Sequence, residues 1–170
     1  MVKLSLYTKL KTKPVKAREC KNVIGNQPRE KMEEYSVHIN IALKSDYDFI
    51  VDRDKHVNKE LVKRKIEDQE IYILQEADKK IGWMRFNYFW DNTPFLNMIW
   101  IDEEYRNKGK GKEVVLFWED QMKQRGFELV MTSTLANEDA QHFYRRLGYR
   151  DSGCLLLENE PLEIILTKRI

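Results

Sequence analysis

The chain has 170 residues, 42% of them apolar and 34% charged, with 7 glycines and 4 prolines, which fits one globular domain and excludes a disordered or low-complexity protein. Its 30 basic and 28 acidic residues leave a formal charge of +2, a balance that argues against a dedicated nucleic-acid binder. No apolar run reaches the roughly 18 residues of a membrane span, and Cys20 and Cys154 sit in no metal-ligand spacing, so no metal and a reducing, cytoplasmic setting are expected.

Residues 1–37 read as a basic N-terminal extension. Residues 1–21 carry seven Lys or Arg against Glu19 alone. Val2, Leu4 and Leu6 alternate briefly before Pro14 and the turn-like 25–28 break the pattern. No apolar stretch of the kind found in a secretory signal is present there. The domain is placed at 38–170. It opens with a strand at "HINIAL", then a short helix at "SDYDFI" with Ser45 and Asp46 as candidate caps. Val57, Leu61, Val62 and Ile66 recur at helical intervals over 57–68. Strands follow at 70–76, 81–90 and 95–101, separated by turns at 77–80 and 91–94. In the second strand Met84, Phe86, Tyr88 and Trp90 occupy one face and Trp83, Arg85, Asn87 and Phe89 the other. One face must be core, and the other is a candidate aromatic wall for an apolar or cationic amine.

"KEVVLFWEDQMKQRG" is a helix whose stripe of Val115, Trp118 and Met122 is widened by Val114 and Phe117 and ended by Gly126. A strand at 127–134, reached across a helix, is expected to run parallel to 95–101. "NEDAQHFYRRLG" is the next helix. Asn137 is its candidate cap, Ala140, Phe143, Tyr144 and Leu147 form its apolar stripe, and Gly148 ends it. Strands in "YRDSGCLLL" and at 162–168 complete an α+β domain, a mixed and mostly antiparallel sheet with helices on both faces.

The loop "YRNKGKGKE" (105–113) joins a strand to a helix. As a solvated connection its glycines only permit a turn. As a cradle, Gly109, Lys110, Gly111, Lys112 and Glu113 present unpaired amides at the positive pole of the helix, where phosphate binds. The loop lacks G-x-x-x-x-G-K-[ST], and Val114 stands where a dinucleotide fingerprint has its third glycine.

"RNKGKG" (106–111) resembles the [RQ]-x-x-G-x-[GA] motif of the GNAT superfamily of N-acetyltransferases, and "NEDAQHFYRRLGY" (137–149) resembles its second hallmark. The resemblance covers roughly 38–170 and implies an acetyl-CoA-dependent N-acetyltransferase with coenzyme A as cosubstrate. It implies that the amides of Asn107, Lys108, Gly109, Lys110, Gly111 and Lys112 hold the pyrophosphate, with Arg106 at the motif's first position. It implies that main-chain groups of Ile99 and Ile101 hold the pantetheine arm, and that Asn137 touches it. Tyr144 matches the tyrosine that protonates the leaving thiolate. Where some members carry a strand glutamate as base, this chain has Phe95, with Asn97 nearby. Glu103, Asp102, Asp91, His38 or a water relay are the remaining routes for the proton. The acceptor is expected to be a small-molecule or peptide amine, with no membrane partner. The family's dimers through C-terminal strands make 162–168 a candidate homodimer contact. A non-catalytic acyl-CoA binder and a nucleic-acid-associated module using residues 3–21 and Lys108–Lys112 are the alternatives.

Overall fold

Residues 36–170 are described by the computed structural model, and the readings placed on residues 1–35 lie outside them. The elements run β1 (His38–Ile41), α1 (Tyr47–Arg53), α2 (Lys59–Glu67), β2 (Ile71–Glu76), β3 (Lys79–Phe89) and β4 (Thr93–Ile101). They continue with α3 (Lys110–Gln124), β5 (Leu129–Leu135), α4 (Ala140–Arg146), β6 (Arg150–Leu155) and β7 (Glu163–Arg169). One seven-stranded sheet takes the order β1-β2-β3-β4-β5-β7-β6. Every neighbouring pair is antiparallel except β4 and β5, which are parallel because α3 carries the chain back between them. This is the α+β architecture expected from the pattern.

The helices bury their apolar stripes on the two faces of the sheet. Val114, Val115, Trp118 and Met122 of α3 pack with Tyr144 of α4 against Leu74, Met84, Phe86, Leu96 and Val130. On the opposite face Ile50 of α1 and Val62 and Ile66 of α2 cover Ile71, Ile73 and Trp83. Each such side chain contributes about 1.5–3 kcal/mol of burial. Asn58 starts α2 by accepting the Leu61 amide at 2.8 Å. Asp46, not Ser45, serves the chain ahead of α1: its carboxylate accepts the Leu43 amide at 2.7 Å.

Two expectations change. Both faces of β3 are buried from Ile81 to Phe86, because α1 and α2 cover the face expected to open on a cleft. Arg85 is tolerated there by its pairing with Asp54, Nε to Oδ2 at 2.8 Å. Trp90 lies outside the strand: it turns the β3–β4 hairpin at φ 51°, with its indole exposed. At the far end of the sheet β7 lies between β5 and β6, so among the described residues the edge strand there is β6.

Gly82 is required where β3 meets β4. A Cβ at this position would stand 2.2 Å from the Trp100 carbonyl oxygen, and backbone atoms cannot yield as a side chain does. We expect Gly82→Ala to cost about 3 kcal/mol of stability, read as a lowered urea midpoint; an unchanged midpoint would show that the strands are not in this register.

Candidate functional site

The parallel pair is short. β4 and β5 pair only at Phe95 with Met131 and Leu96 with Thr132. The Thr132 hydroxyl donates to the Leu96 carbonyl at 2.9 Å, and beyond this point the two strands part. A bulge in β4 makes Asn97 the extra residue between Leu96, opposite Phe86, and Met98, opposite Arg85. Such a bulge bends its strand. On its other edge β4 stays paired with β3 as far as Ile101.

That pairing decides which groups face the gap. The Asp102 amide donates to the Ile81 carbonyl at 2.8 Å, and the Trp100 carbonyl lies against Gly82. Successive strand residues turn their main-chain groups to opposite edges, so those of Ile99 and Ile101 are directed into the gap. The Ile101 carbonyl is taken by Arg106, whose Nε donates to it at 2.7 Å.

The chain then turns through a 3₁₀ segment, Glu103–Tyr105, into α3. Asn107 and Gly109 adopt φ of 58° and 80°, values that Asn and Gly accept with least strain. The amides of Lys112 and Glu113 return to the Gly109 carbonyl at 3.0 and 3.2 Å, whereas those of residues 107–111 have no acceptor among the described residues. Successive free amides at a helix N-terminus form a concavity for an anion.

This concavity is one wall of a cleft of about 600 Å³. Ile101, Tyr105, Arg106, Asn107, Gly109, Gly111 and Lys112 line it from one side, and Phe143, Arg146 and Leu147 of α4 from the other. Among the described residues three cationic ones and no acidic one reach it, which suits a polyanion with an apolar arm. Of the residues singled out in the sequence, Ile99, Lys108, Lys110, Asn137 and Tyr144 are not on its lining. Lys110 turns its ammonium inward to Glu76 and is buried, so only its amide is left for a ligand. Lys108 is exposed, its ammonium 5.8 Å from the Tyr105 ring. Asn137 does not cap α4. Residues 135–139 form a turn in which the Glu138 amide bonds the Leu135 carbonyl, and the helix begins at Ala140 after Asp139. Tyr105, Phe143, Arg146 and Leu147 were missed as site residues. Of the two arginines in the last turn of α4, Arg145 is engaged by Asp151 at 2.9 Å, and Arg146 reaches the cleft.

Tyr144 and Phe143, neighbours on the apolar stripe of α4, have different environments. Phe143 is half-buried and lines the cleft, while Tyr144 is only 8% exposed. Its ring packs edge-on against Phe143 and Tyr149, at 5.1 and 5.4 Å between centroids. Its hydroxyl interacts with Thr132, the residue at which β4 and β5 part, and burial pushes its pKa up to about 12 against the opposing pull of that hydrogen bond. The phenol therefore keeps its proton at neutral pH.

The possible bases are dispersed. His38 lies on the outermost strand, with two strands between it and β4, and Asp91 is at the hairpin tip, the opposite end of β4 from the loop. Asp102 accepts from Arg53 and Trp100 at 3.2 and 3.3 Å. Glu103 is exposed in the 3₁₀ turn. The buried Oδ1 atoms of Asn87 and Asn97 have no hydrogen-bond partner among the described residues.

Residues 32–149 match the acetyltransferase (GNAT) family. The chain belongs to this family. A GNAT acetyltransferase from Bacillus cereus is similar at 22% identity and a TM-score of 0.65 over 78% of this chain and 96% of its own. One from Listeria monocytogenes shares 15% identity at 0.66, over 79% and 95%. One from Elizabethkingia anophelis, solved with acetyl-CoA bound, shares 20% at 0.64, over 79% and 99%. At these identities the likeness establishes the fold. Curated protein sequences give no significant match.

The two loop glycines of this GNAT chain are not equivalent. Gly109 has open space around a Cβ but sits at φ 80°, whereas at Gly111 a Cβ would touch Phe143 at an ordinary 3.5 Å. Gly109→Ala should cost about 1–2 kcal/mol through left-handed strain, and it should weaken coenzyme A binding. Gly111→Ala should leave stability within about 0.5 kcal/mol. Thermal melting and calorimetric titration with coenzyme A check both; equal effects of the two substitutions would contradict the loop geometry.

Proposed function

We propose that this GNAT protein moves an acetyl group from acetyl-CoA to a small-molecule or peptide amine by direct attack of the amine. The observation that carries this reading is the row of unpartnered amides at 107–111, opening beside the gap between β4 and β5 with Tyr144 at its apex. Acetyl-CoA, as cosubstrate, supplies an acyl carbon already activated as a thioester. The amides of 107–111 hold its pyrophosphate, and Arg106, Lys112 and Arg146 raise the local potential. Main-chain groups of Ile99 and Ile101 offer the pantetheine arm a strand-like partner, and Asn137 stands at the turn after β5.

Tyr144 is the proton donor in this reading. A phenol hydrogen-bonded to the departing sulfur stabilises the charge that develops there. The phenol carries its proton at neutral pH and so has one to give when the carbon–sulfur bond breaks, while burial makes it a weaker acid than a free tyrosine. Phe95 stands where some family members carry a glutamate, and no carboxylate lines the cleft among the described residues, so in this reading the ammonium acceptor loses its proton to water before it attacks.

Tyr144→Phe keeps the ring and removes the donor. Acetyl-CoA affinity should stay within about twofold, while the chemical step slows roughly 10²-fold. The slowing should shrink with an acyl donor whose leaving thiol is more acidic. The donor acts in its protonated form, so the wild-type advantage should persist through pH 10 and fall only towards 12. Single-turnover rates across pH would decide this: equal rates for the two proteins would return Tyr144 to a packing role.

A further inference from the structure

The loop motif contains a lysine that does not face its anion. Lys110, the first residue of α3, is 5% exposed and directs its ammonium to the Glu76 carboxylate at the end of β2. Beside it, Glu113 one turn further along is held from the opposite direction. The Ser36 amide donates to its Oε2 at 2.8 Å, and the Ser36 hydroxyl to Oε1 at 2.9 Å and Oε2 at 3.1 Å. Lys110 Nζ also lies 3.5 Å from the Ser36 hydroxyl, so the four side chains form one connected cluster. It ties the first turn of α3 to the end of β2 and to the segment that enters the domain.

We propose that Glu76 and Ser36 are positioning residues of the anion cradle. They act through Lys110 and Glu113 and touch no ligand themselves. Two physical effects give them that role. The amides of 107–111 converge only if the first turn of α3 is fixed, and the Lys110–Glu76 pair anchors that turn with little side-chain freedom left to the lysine. Glu113 is an anion in the same first turn that must receive a second anion, and both compete for the positive pole of the helix. Ser36 occupies both carboxylate oxygens and fixes where that charge sits. Released, Glu113 would be drawn towards the free amides and would repel an incoming pyrophosphate.

This inference rests on the cradle being the coenzyme site, and the experiment separates the two. Calorimetry with coenzyme A should show Glu76→Gln binding about 5- to 10-fold more weakly, and Ser36→Ala, which frees Oε1 of Glu113 but leaves the Ser36 amide on Oε2, about 3- to 5-fold more weakly. Adding Glu113→Gln to Ser36→Ala should restore affinity to within about twofold, since the released charge is then gone. With acetylpantetheine, which has no pyrophosphate, kcat/KM of both single variants should match wild type. A purely structural role would depress both donors equally, and the rescue would fail; either result overturns the proposal. Wild-type binding with undiminished affinity in both variants overturns it alone. A wild-type protein that does not bind coenzyme A overturns the cradle and this proposal together.

Discussion

Two parallel strands that hydrogen-bond at two positions and then separate leave a row of main-chain groups without partners, and the rest of this molecule is arranged around that vacancy in the ladder. The gap does not collapse because each strand is secured on its outer edge. β4 is backed by the 11-residue β3 along its whole length, and β5 is paired with β7 at seven consecutive positions. The bulge at Asn97 bends β4 away, and Thr132 closes the apex by binding the Leu96 carbonyl. A buried main-chain group left unpaired costs about 1–3 kcal/mol. A molecule that completed the ladder there would recover that cost, which is why the proposed coenzyme site is placed in this gap.

The cleft follows from the same separation. β4 ends at the loop whose amides point outward, β5 ends at the turn leading to α4, and the two helices face each other across the space between. A Cβ on Gly111 would meet Phe143 at ordinary contact distance, so α3 and α4 face each other here without depending on that glycine, while the loop supplies free amides. Charge is sorted by direction. Arg106, Lys112 and Arg146 reach the cleft. Lys110 turns into the protein and Arg145 out to Asp151. Counting basic residues in the motif would overstate the cationic field that an anion meets.

Much of this was legible in the sequence. Strand alternation and helix stripes gave the element order, because burial on a sheet face or a helix stripe imposes periods that survive in the residues themselves. The loop with its free amides was legible for a similar reason, since paired glycines between an apolar strand and a helix mark a connection of unusual backbone geometry. What escaped notice depends on contacts remote in sequence. Nothing in "NKGKGK" says that the middle lysine meets Glu76, 34 residues earlier. The cap of α4 was misplaced because β5 needs residues 135–139 to turn, a requirement local patterning does not record. Both faces of β3 were covered because α1 and α2 arrive from another part of the chain. Tyr144 and Phe143 are adjacent on one stripe, and only the apex at Thr132 decides which is buried.

The central claim is that a coenzyme completes the main chain where β4 and β5 part. Backbone amide exchange, followed residue by residue with and without coenzyme A, tests it most directly. The expected result is slowed exchange at residues 107–111 and at Ile99 and Ile101, with β6 unaffected. Exchange unchanged at those amides while coenzyme A binds, or protection appearing elsewhere on the sheet, would contradict the account.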